Sequence, residues 1–320
     1  MTLNIAIIGT GNIADDQLAP ALTKVNGARL WSVHSRDTKR AILFAERHNA
    51  VSPQPAYSDL KALVADPQLD AVIIATPDKL HAQQTITAAK AGKHVLTEKP
   101  MATDLESAAA MITACREAQV KLGVAYNLRW HAAHRRIFEG LQASEFGTLR
   151  HMRVQYTWLA PDTNNWRAST EVGKWWSLAG TGTHCLDLIR WMMVPSCGEI
   201  ESLKSIVSKK VYGGPHDESA VVAMQFESGA TAEFFSSVLI NVPSRLEIYG
   251  SNGYAACEDT LGRHGGGTAS THKGALPYTP VNPYAAEIQD FVDAIRQQRS
   301  PEVGGDEGLR NVELLLAISE

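Results

Sequence analysis

The stretch "LNIAIIGTGNIA", residues 3–14, constrains the fold more than any other. "NIAIIG" is an unbroken apolar run, the pattern of a strand buried on both faces of a parallel sheet. It leads directly into Gly9-Thr10-Gly11-Asn12-Ile13-Ala14, a G-x-G-x-x-A turn that opens a helix. Gly9 permits the tight turn. Gly11 lets the backbone approach a pyrophosphate, and Ala14 lets the helix pack closely on the strand. Free N–H groups and the dipole at the helix start favour an anion there. Gly9, Thr10, Gly11, Asn12 and Ile13 are therefore the first expected contacts of a dinucleotide.

The first third of the chain repeats the theme. "RLWSVHS", "DAVIIATP", "KHVLTEK" and "VKLGVAY" read as strands, with amphipathic helices between them. Asp37 reads as the N-cap of a helix over "TKRAILFAERHN", and Gly92 as the C′ residue of the helix in "KLHAQQTITAAKAG". "TDLE", Thr103 to Glu106, has capping-box form before a helix reaching about Gln119. Strands alternating with helices predict a parallel sheet of βαβ units over residues 1–125. From Tyr126 the pattern changes to long β-like runs separated by Gly, Pro, Asn and Ser turns, including a hairpin around Ser228-Gly229. Residues 126–320 thus form a second, α+β domain with a mainly antiparallel sheet. "HGGGTASTHKGALPYTPVNPY" reads as a loop, and the tail from Pro283 returns to helices.

The totals set limits on function. The 320 residues are 44% hydrophobic and 20% charged, with a net charge of −4, and no basic footprint for nucleic acid exists. The four cysteines are scattered, without a C-x-x-C pair, which fits a reducing compartment. No run approaches the roughly 18–20 apolar residues of a membrane span, and the N-terminus lacks signal-peptide form. A cytoplasmic protein is expected.

The end of the second strand selects the cofactor. An acid there bonds the ribose 2′-OH of NAD, whereas arginine accommodates the 2′-phosphate of NADP. The sequence is "VHSRD". Ser35 stands where the acid is sought, Arg36 follows, and Arg40 adds a second cation one turn later; a hydroxyl with guanidinium groups suits phosphate. Asp37 is either the ribose acid or the N-cap, and the helix pattern starting at Thr38 favours the cap. NADP is preferred, with NAD the alternative.

Further along, "ATPDKLHAQQTITAAKAGKHVLTEKP" (residues 75–100), "AYNLRW", "FGTLRHMRV" and "GTGTHCLDLIRW" appear in that order. With the glycine turn before them, they closely resemble the glucose–fructose oxidoreductase / inositol dehydrogenase / MocA family over essentially the whole chain. The resemblance implies a Rossmann domain, then an α+β domain with a large open sheet, and an active site between them. It also implies oxidoreduction of a sugar, polyol or related small molecule, and dimers or tetramers formed through the open sheet. The implied cofactor contacts extend to Ala75, Thr76, Pro77, His81, Glu98 and Lys99.

Hydride transfer at an alcohol carbon needs a proton acceptor or donor for its oxygen. Lys99, at the carboxyl end of a buried parallel strand, is the first candidate, its pKa lowered by desolvation and nearby positive charge. His184 is the second. With Thr181 or Thr183 as N-cap it lies in a first helical turn, where the dipole favours a neutral ring, and Asp187 at i+3 can orient it. The family pattern is approximately D-x-G-x-H-x-x-D; Gly182, His184 and Asp187 match, but Gly180 replaces the first acid. Three readings stay open. Lys99 and His184 act alone; Asp162, Glu171 or Asp217 supplies the acid; or the chain is a dinucleotide-binding regulator without turnover.

Tyr126, Asn127 and Arg129 follow the last strand of the first domain as substrate contacts, Arg129 as an anchor for an anionic or hydroxylated group. Trp158, Trp166, Trp175 and Trp176 precede the His184 helix; Trp166 joins the substrate contacts, although tryptophans serve more often as packing. His264 and His272 lack a third ligand, so no metal site is expected. "RWHAAHRR" reads as a solvated basic helix face.

Overall fold

The structure is a computed structural model and describes residues 2–164, 166–169 and 173–319. The chain divides into two compact units, Met1–Tyr126 with Tyr284–Val312, and Asn127–Pro283 with Glu313–Glu320. The crossing at Tyr126/Asn127 falls beside the expected boundary, but a single cut at 125/126 is an incomplete description. Residues 284–312 return to the first unit because Tyr284, Ile288, Phe291 and Val292 are buried in its core.

In the first unit, six strands form one parallel sheet: β1 (Leu3–Ile8), β2 (Ala28–His34), β3 (Ala56–Tyr57), β4 (Ala71–Ile74), β5 (His94–Glu98) and β6 (Leu122–Ala125). Their order is β3-β2-β1-β4-β5-β6, so the chain reverses direction across the sheet between β1 and β4. In such sheets ligands bind beyond the carboxyl ends of the strands at that reversal. Both strands are almost wholly buried, as their apolar runs require. The connecting helices are α1 (Ala19–Leu22), α2 (Thr38–Arg47), α3 (Leu60–Val64), α4 (His81–Lys90) and α5 (Leu105–Glu117). Asp37, Asp59 and Asp104 cap α2, α3 and α5 with their carboxylates. The expected capping box is therefore displaced by one residue: Asp104, the stronger cap, takes the amide and hydroxyl of Ser107. The short β3 and α3 carry too few residues to show a period in sequence.

The second unit opens with α6 (Ala132–Gln142), β7 (Leu149–Thr157) and α7 (Thr183–Cys197). There follow β8 (Ile200–Ser208), β9 (Ser219–Phe226), β10 (Thr231–Ser237), β11 (Arg245–Gly250), β12 (Gly253–Glu258), β13 (Thr268–Thr271) and β14 (Gly274–Ala275). The sheet order is β14-β13-β12-β11-β7-β10-β9-β8. All neighbours are antiparallel except β7 and β10. The expected loop over 264–284 thus contains a small hairpin, β13–β14. One face of the sheet buries Met152, Val154, Phe234 and Ile248 against α7 residues such as Leu188 and Ile189. The other face stays open, with Ile206, Val221, Tyr249 and Tyr254 exposed. The chain ends with α8 (Pro283–Arg296) and α9 (Gly305–Ser319).

The "RWHAAHRR" stretch is not a solvated face. His131 caps α6 through its ring nitrogen and reaches the Gly266 carbonyl. His134 bridges the Leu128 carbonyl and the Thr260 hydroxyl. Both rings are fully buried, and burial pushes the His134 pKa down to about 3. Of the stretch only Arg136 is exposed, pairing with Glu139, and Arg129 at its start is buried.

Candidate active site

Gly9 follows β1 with φ +107°, and a Cβ there would lie 2.5 Å from the Ala75 carbonyl oxygen. Only glycine meets both conditions. The turn is fixed by Gly9 N–H donating to the His34 carbonyl and Ala75 N–H donating to the Ile8 carbonyl. Gly11 differs: nothing stands within 4 Å of the Cβ position. That open face beside a helix start is the space a pyrophosphate needs, so the residues present fit a dinucleotide. The helix is irregular. Ala14–Leu18 form a π turn closed by Ala19 N–H on the Ala14 carbonyl, just before Pro20. Pro20 lacks the N–H that would continue α-type bonding.

Next to the turn, the Thr10 hydroxyl reaches the Ser35 hydroxyl at 3.3 Å, and Arg40 Nη2 donates to the Thr10 carbonyl at 3.1 Å. Arg36 is exposed. Asp37 accepts from the amides of Lys39 and Arg40, so the N-cap reading of this residue describes its geometry. Arg36 and Arg40, the two cations at the β2 end, are both exposed.

At the carboxyl ends of β4 and β5, the Thr76 hydroxyl donates to Gln84 Oε1 at 2.6 Å. His81 is fully buried, with Nδ1 2.9 Å from the Pro100 carbonyl and Nε2 2.8 Å from the Thr76 carbonyl. The ring nitrogens of His81, expected among the cofactor contacts, face protein carbonyls. The ring thus lies between the Thr76 and Pro100 carbonyls and bridges these two segments. Lys99 is buried at 9% exposure, directly after β5, and its amide donates to the Glu98 carboxylate at 3.2 Å. The Lys99–Pro100 peptide is cis.

In the second unit α7, which carries His184, starts at Thr183, but it is not capped by Thr181 or Thr183. Leu178–Gly182 form a π turn that runs straight into it. The Thr181 hydroxyl bonds back to the Ser177 carbonyl, competing with the helical ladder. The start of the π turn is tied by Asp217, which accepts from the amides of Trp176 and Leu178 and from the Ser177 hydroxyl. Burial pushes the Asp217 pKa up. This carboxylate is a structural cap rather than the replacement acid. Asp162 serves a local turn by accepting from the Asn164 amide, and Glu171 lies outside the described residues. Gly182 is tightly packed: a Cβ would lie 3.0 Å from Leu178 Cδ2 and from Ser236 Oγ, so a side chain there needs those atoms to give way.

His184 is 8% exposed, and its ring centroid lies 6.2 Å from that of Tyr156. Asp187 and Arg129 form a buried bidentate pair, Nε to Oδ2 at 2.8 Å and Nη2 to Oδ1 at 2.6 Å. Arg129 was expected to anchor substrate; its planar fork is instead matched to Asp187, and its ring neighbour is Trp191. Tyr126 and Asn127 are buried at the crossing between the units. Trp166 is 39% exposed with the Arg167 guanidinium over its ring, and Trp175 and Trp176 are core residues. Tyr156 escaped sequence reasoning. Its signal was the alternation in "VQYTW", which puts Val154, Tyr156 and Trp158 on one face of β7. Burial pushes its phenol up to about 12, so it stays neutral.

Residues 3–126 match the model of an oxidoreductase family with the NAD-binding Rossmann fold, and residues 134–256 match the GFO/IDH/MocA C-terminal domain. The chain belongs to the GFO/IDH/MocA oxidoreductase family. Within that family, a 1,5-anhydro-D-fructose reductase of Ensifer adhaerens is 28% identical, covering 98% of this chain and 94% of that protein. A D-xylose 1-dehydrogenase (NADP(+)) of Haloferax volcanii is 27% identical over 98% and 95%. Among solved structures, the aldose–aldose oxidoreductase of Caulobacter crescentus, complexed with glycerol, matches with TM-score 0.92 and 26% identity, over 100% and 97% of the two chains. The GFO/IDH/MocA assignment makes this chain an NAD(P)-binding oxidoreductase. Among the described residues no helix is long and apolar enough to cross a membrane, and no group of three metal-ligating side chains is formed.

Proposed function

We propose that this family member interconverts a hydroxyl and a carbonyl on a sugar, polyol or related compound, using NADP in preference to NAD. The observation that carries the reading is Lys99, a lysine 9% exposed at the carboxyl end of β5. It lies in the same parallel sheet whose glycine turn presents an open anion site. A bound nicotinamide supplies the hydride acceptor or donor. Lys99 Nζ takes the proton from the reacting hydroxyl during oxidation and returns it during reduction. His184 Nε2 or Nδ1 polarises the same oxygen or passes the proton on. Burial of both side chains limits competition from water.

The activities named for the relatives support the substrate class, all being on sugars or sugar derivatives. NADP preference is supported by Ser35, Arg36 and Arg40 around the β2 end, with Asp37 engaged as a cap. Self-association through the open sheet face is supported by the exposed Ile206, Val221, Tyr249 and Tyr254. The test is a screen of aldoses, alditols and inositols with each cofactor, following the absorbance of reduced nicotinamide. Turnover with NADP is expected, and Ser35→Asp should shift preference toward NAD. Tight cofactor binding without turnover of any compound would point instead to a dinucleotide-binding regulator.

A further inference from the structure

Gly180 stands one helical turn before His184, and the side chains of β7 face both. Tyr156 lies opposite His184. Trp158, two residues on and on the same face of the strand direction, lies opposite Gly180. Two strand residues advance about 6.8 Å and one helical turn about 5.4 Å, so the two pairs keep step. A Cβ at Gly180 would lie 3.5 Å from Trp158 Nε1. Outside its own helix, no other described atom comes within 4 Å of that position. Gly180 lacks the left-handed φ that would demand glycine, so a Cβ there is sterically allowed, in ordinary contact with the indole nitrogen. The tryptophan is held in place: its amide donates to the Ser237 carbonyl at 3.0 Å, and its ring packs on Ala160, Trp176 and Val238. Its indole N–H meets no acceptor among the described residues, and the residue is half-buried.

We propose that Trp158 is a specificity-determining residue, and that its indole N–H selects substrates carrying an sp2 oxygen, oxo or carboxylate, beside the reacting carbon. An indole N–H only donates, whereas oxo and carboxylate oxygens only accept. A carboxylate side chain at position 180 would invert that polarity and reward a hydroxyl donor. The space above Gly180 therefore presents a donor one turn from His184, and a hydrogen-bonding site rejects analogues that leave its polar group unmatched. The proposal rests on His184 marking the reacting end of the site.

The test compares matched pairs with the NADP-loaded enzyme: D-glucuronate against D-glucose for the carboxylate, and 5-keto-D-fructose against D-fructose for the oxo group. Both kcat/KM and calorimetric Kd are measured, so that affinity is read even where turnover is slow. Wild type should favour the sp2-oxygen member of at least one pair by about 10-fold or more, and the pair concerned identifies which oxygen is read. Trp158→Phe should abolish that ratio while changing the plain sugar less than 3-fold, roughly. Gly180→Asp, which sets a carboxylate against the indole, should reverse the ratio and keeps the test valid if the Trp158 variant is unstable. Turnover of plain sugars with no preference for either acceptor, or equal losses on both pair members in Trp158→Phe, overturns the proposal alone. Failure of every pair member to bind overturns it together with the functional reading beneath it.

Discussion

Two glycine-flanked helix entrances lie in this chain, one at Gly9–Gly11 and one at Gly180–Gly182, and each is followed or formed by a π turn. They look alike in sequence and differ in physics. Gly9 is fixed twice over, by φ +107° and by the Ala75 carbonyl 2.5 Å from its Cβ position. Gly182 is constrained more weakly, by the close approach of the Leu178 and Ser236 side chains. Gly11 and Gly180 are fixed by neither: nothing stands within 4 Å of the Gly11 Cβ position, and at Gly180 a Cβ would meet only the Trp158 indole nitrogen, at an ordinary 3.5 Å. A glycine's meaning thus lies in what its absent Cβ would meet. The first entrance uses the space for an anion at a helix start. At the second, the neighbour of the missing side chain is the indole nitrogen of Trp158.

Substitutions break this comparison in a graded order. Gly9→Ala should cost about 3 kcal/mol or more, combining a strained φ with a clash against backbone, and should remove measurable cofactor affinity; thermal melts with and without NADP check both. Asp217→Ala orphans the amides of Trp176 and Leu178 at the second entrance. It should cost about 3 kcal/mol in urea unfolding, with the pyrophosphate site intact. Acid should weaken the second unit through His134. Its folded pKa of about 3 lies below the unfolded value, so its contribution is full above pH about 6.5 and is lost as pH falls. The loss should reach roughly 3 kcal/mol by pH 4, and His134→Gln should flatten that slope. The smallest effects divide the second entrance itself. Gly182→Ala should destabilise by about 1–2 kcal/mol through overpacking, whereas Gly180→Ala should stabilise by about 0.5–1 kcal/mol, a helical position gaining a Cβ without a clash.

The sequence carried the first unit far better than the second. Strand-buried apolar runs and the Gly9 turn are local signals, and Asp37 as a cap followed from the helix pattern beginning beside it. What escaped depends on partners distant in sequence. Arg129 reads as a surface anchor until Asp187, 58 residues away, closes its fork. His131 and His134 read as part of a basic face until Gly266 and Thr260 cover them. Asp217 reads as a spare acid until the α7 approach folds onto it, 41 residues earlier in the chain. Both π turns were illegible because a single additional residue in a helical turn leaves no period of its own, although Pro20 and the Thr181 hydroxyl mark where each occurs. The neighbours of His81 were illegible for a related reason: the two carbonyls beside its ring come from Thr76 and Pro100.

The central claim is that Lys99 is the acid/base of a nicotinamide-dependent sugar oxidoreductase, and the Lys99→Met variant tests it most directly. On the best substrate from the screen, kcat/KM should fall by at least about 100-fold, while NADP Kd and the melting temperature stay near wild type. Turnover within a few-fold of wild type in that variant would contradict the account.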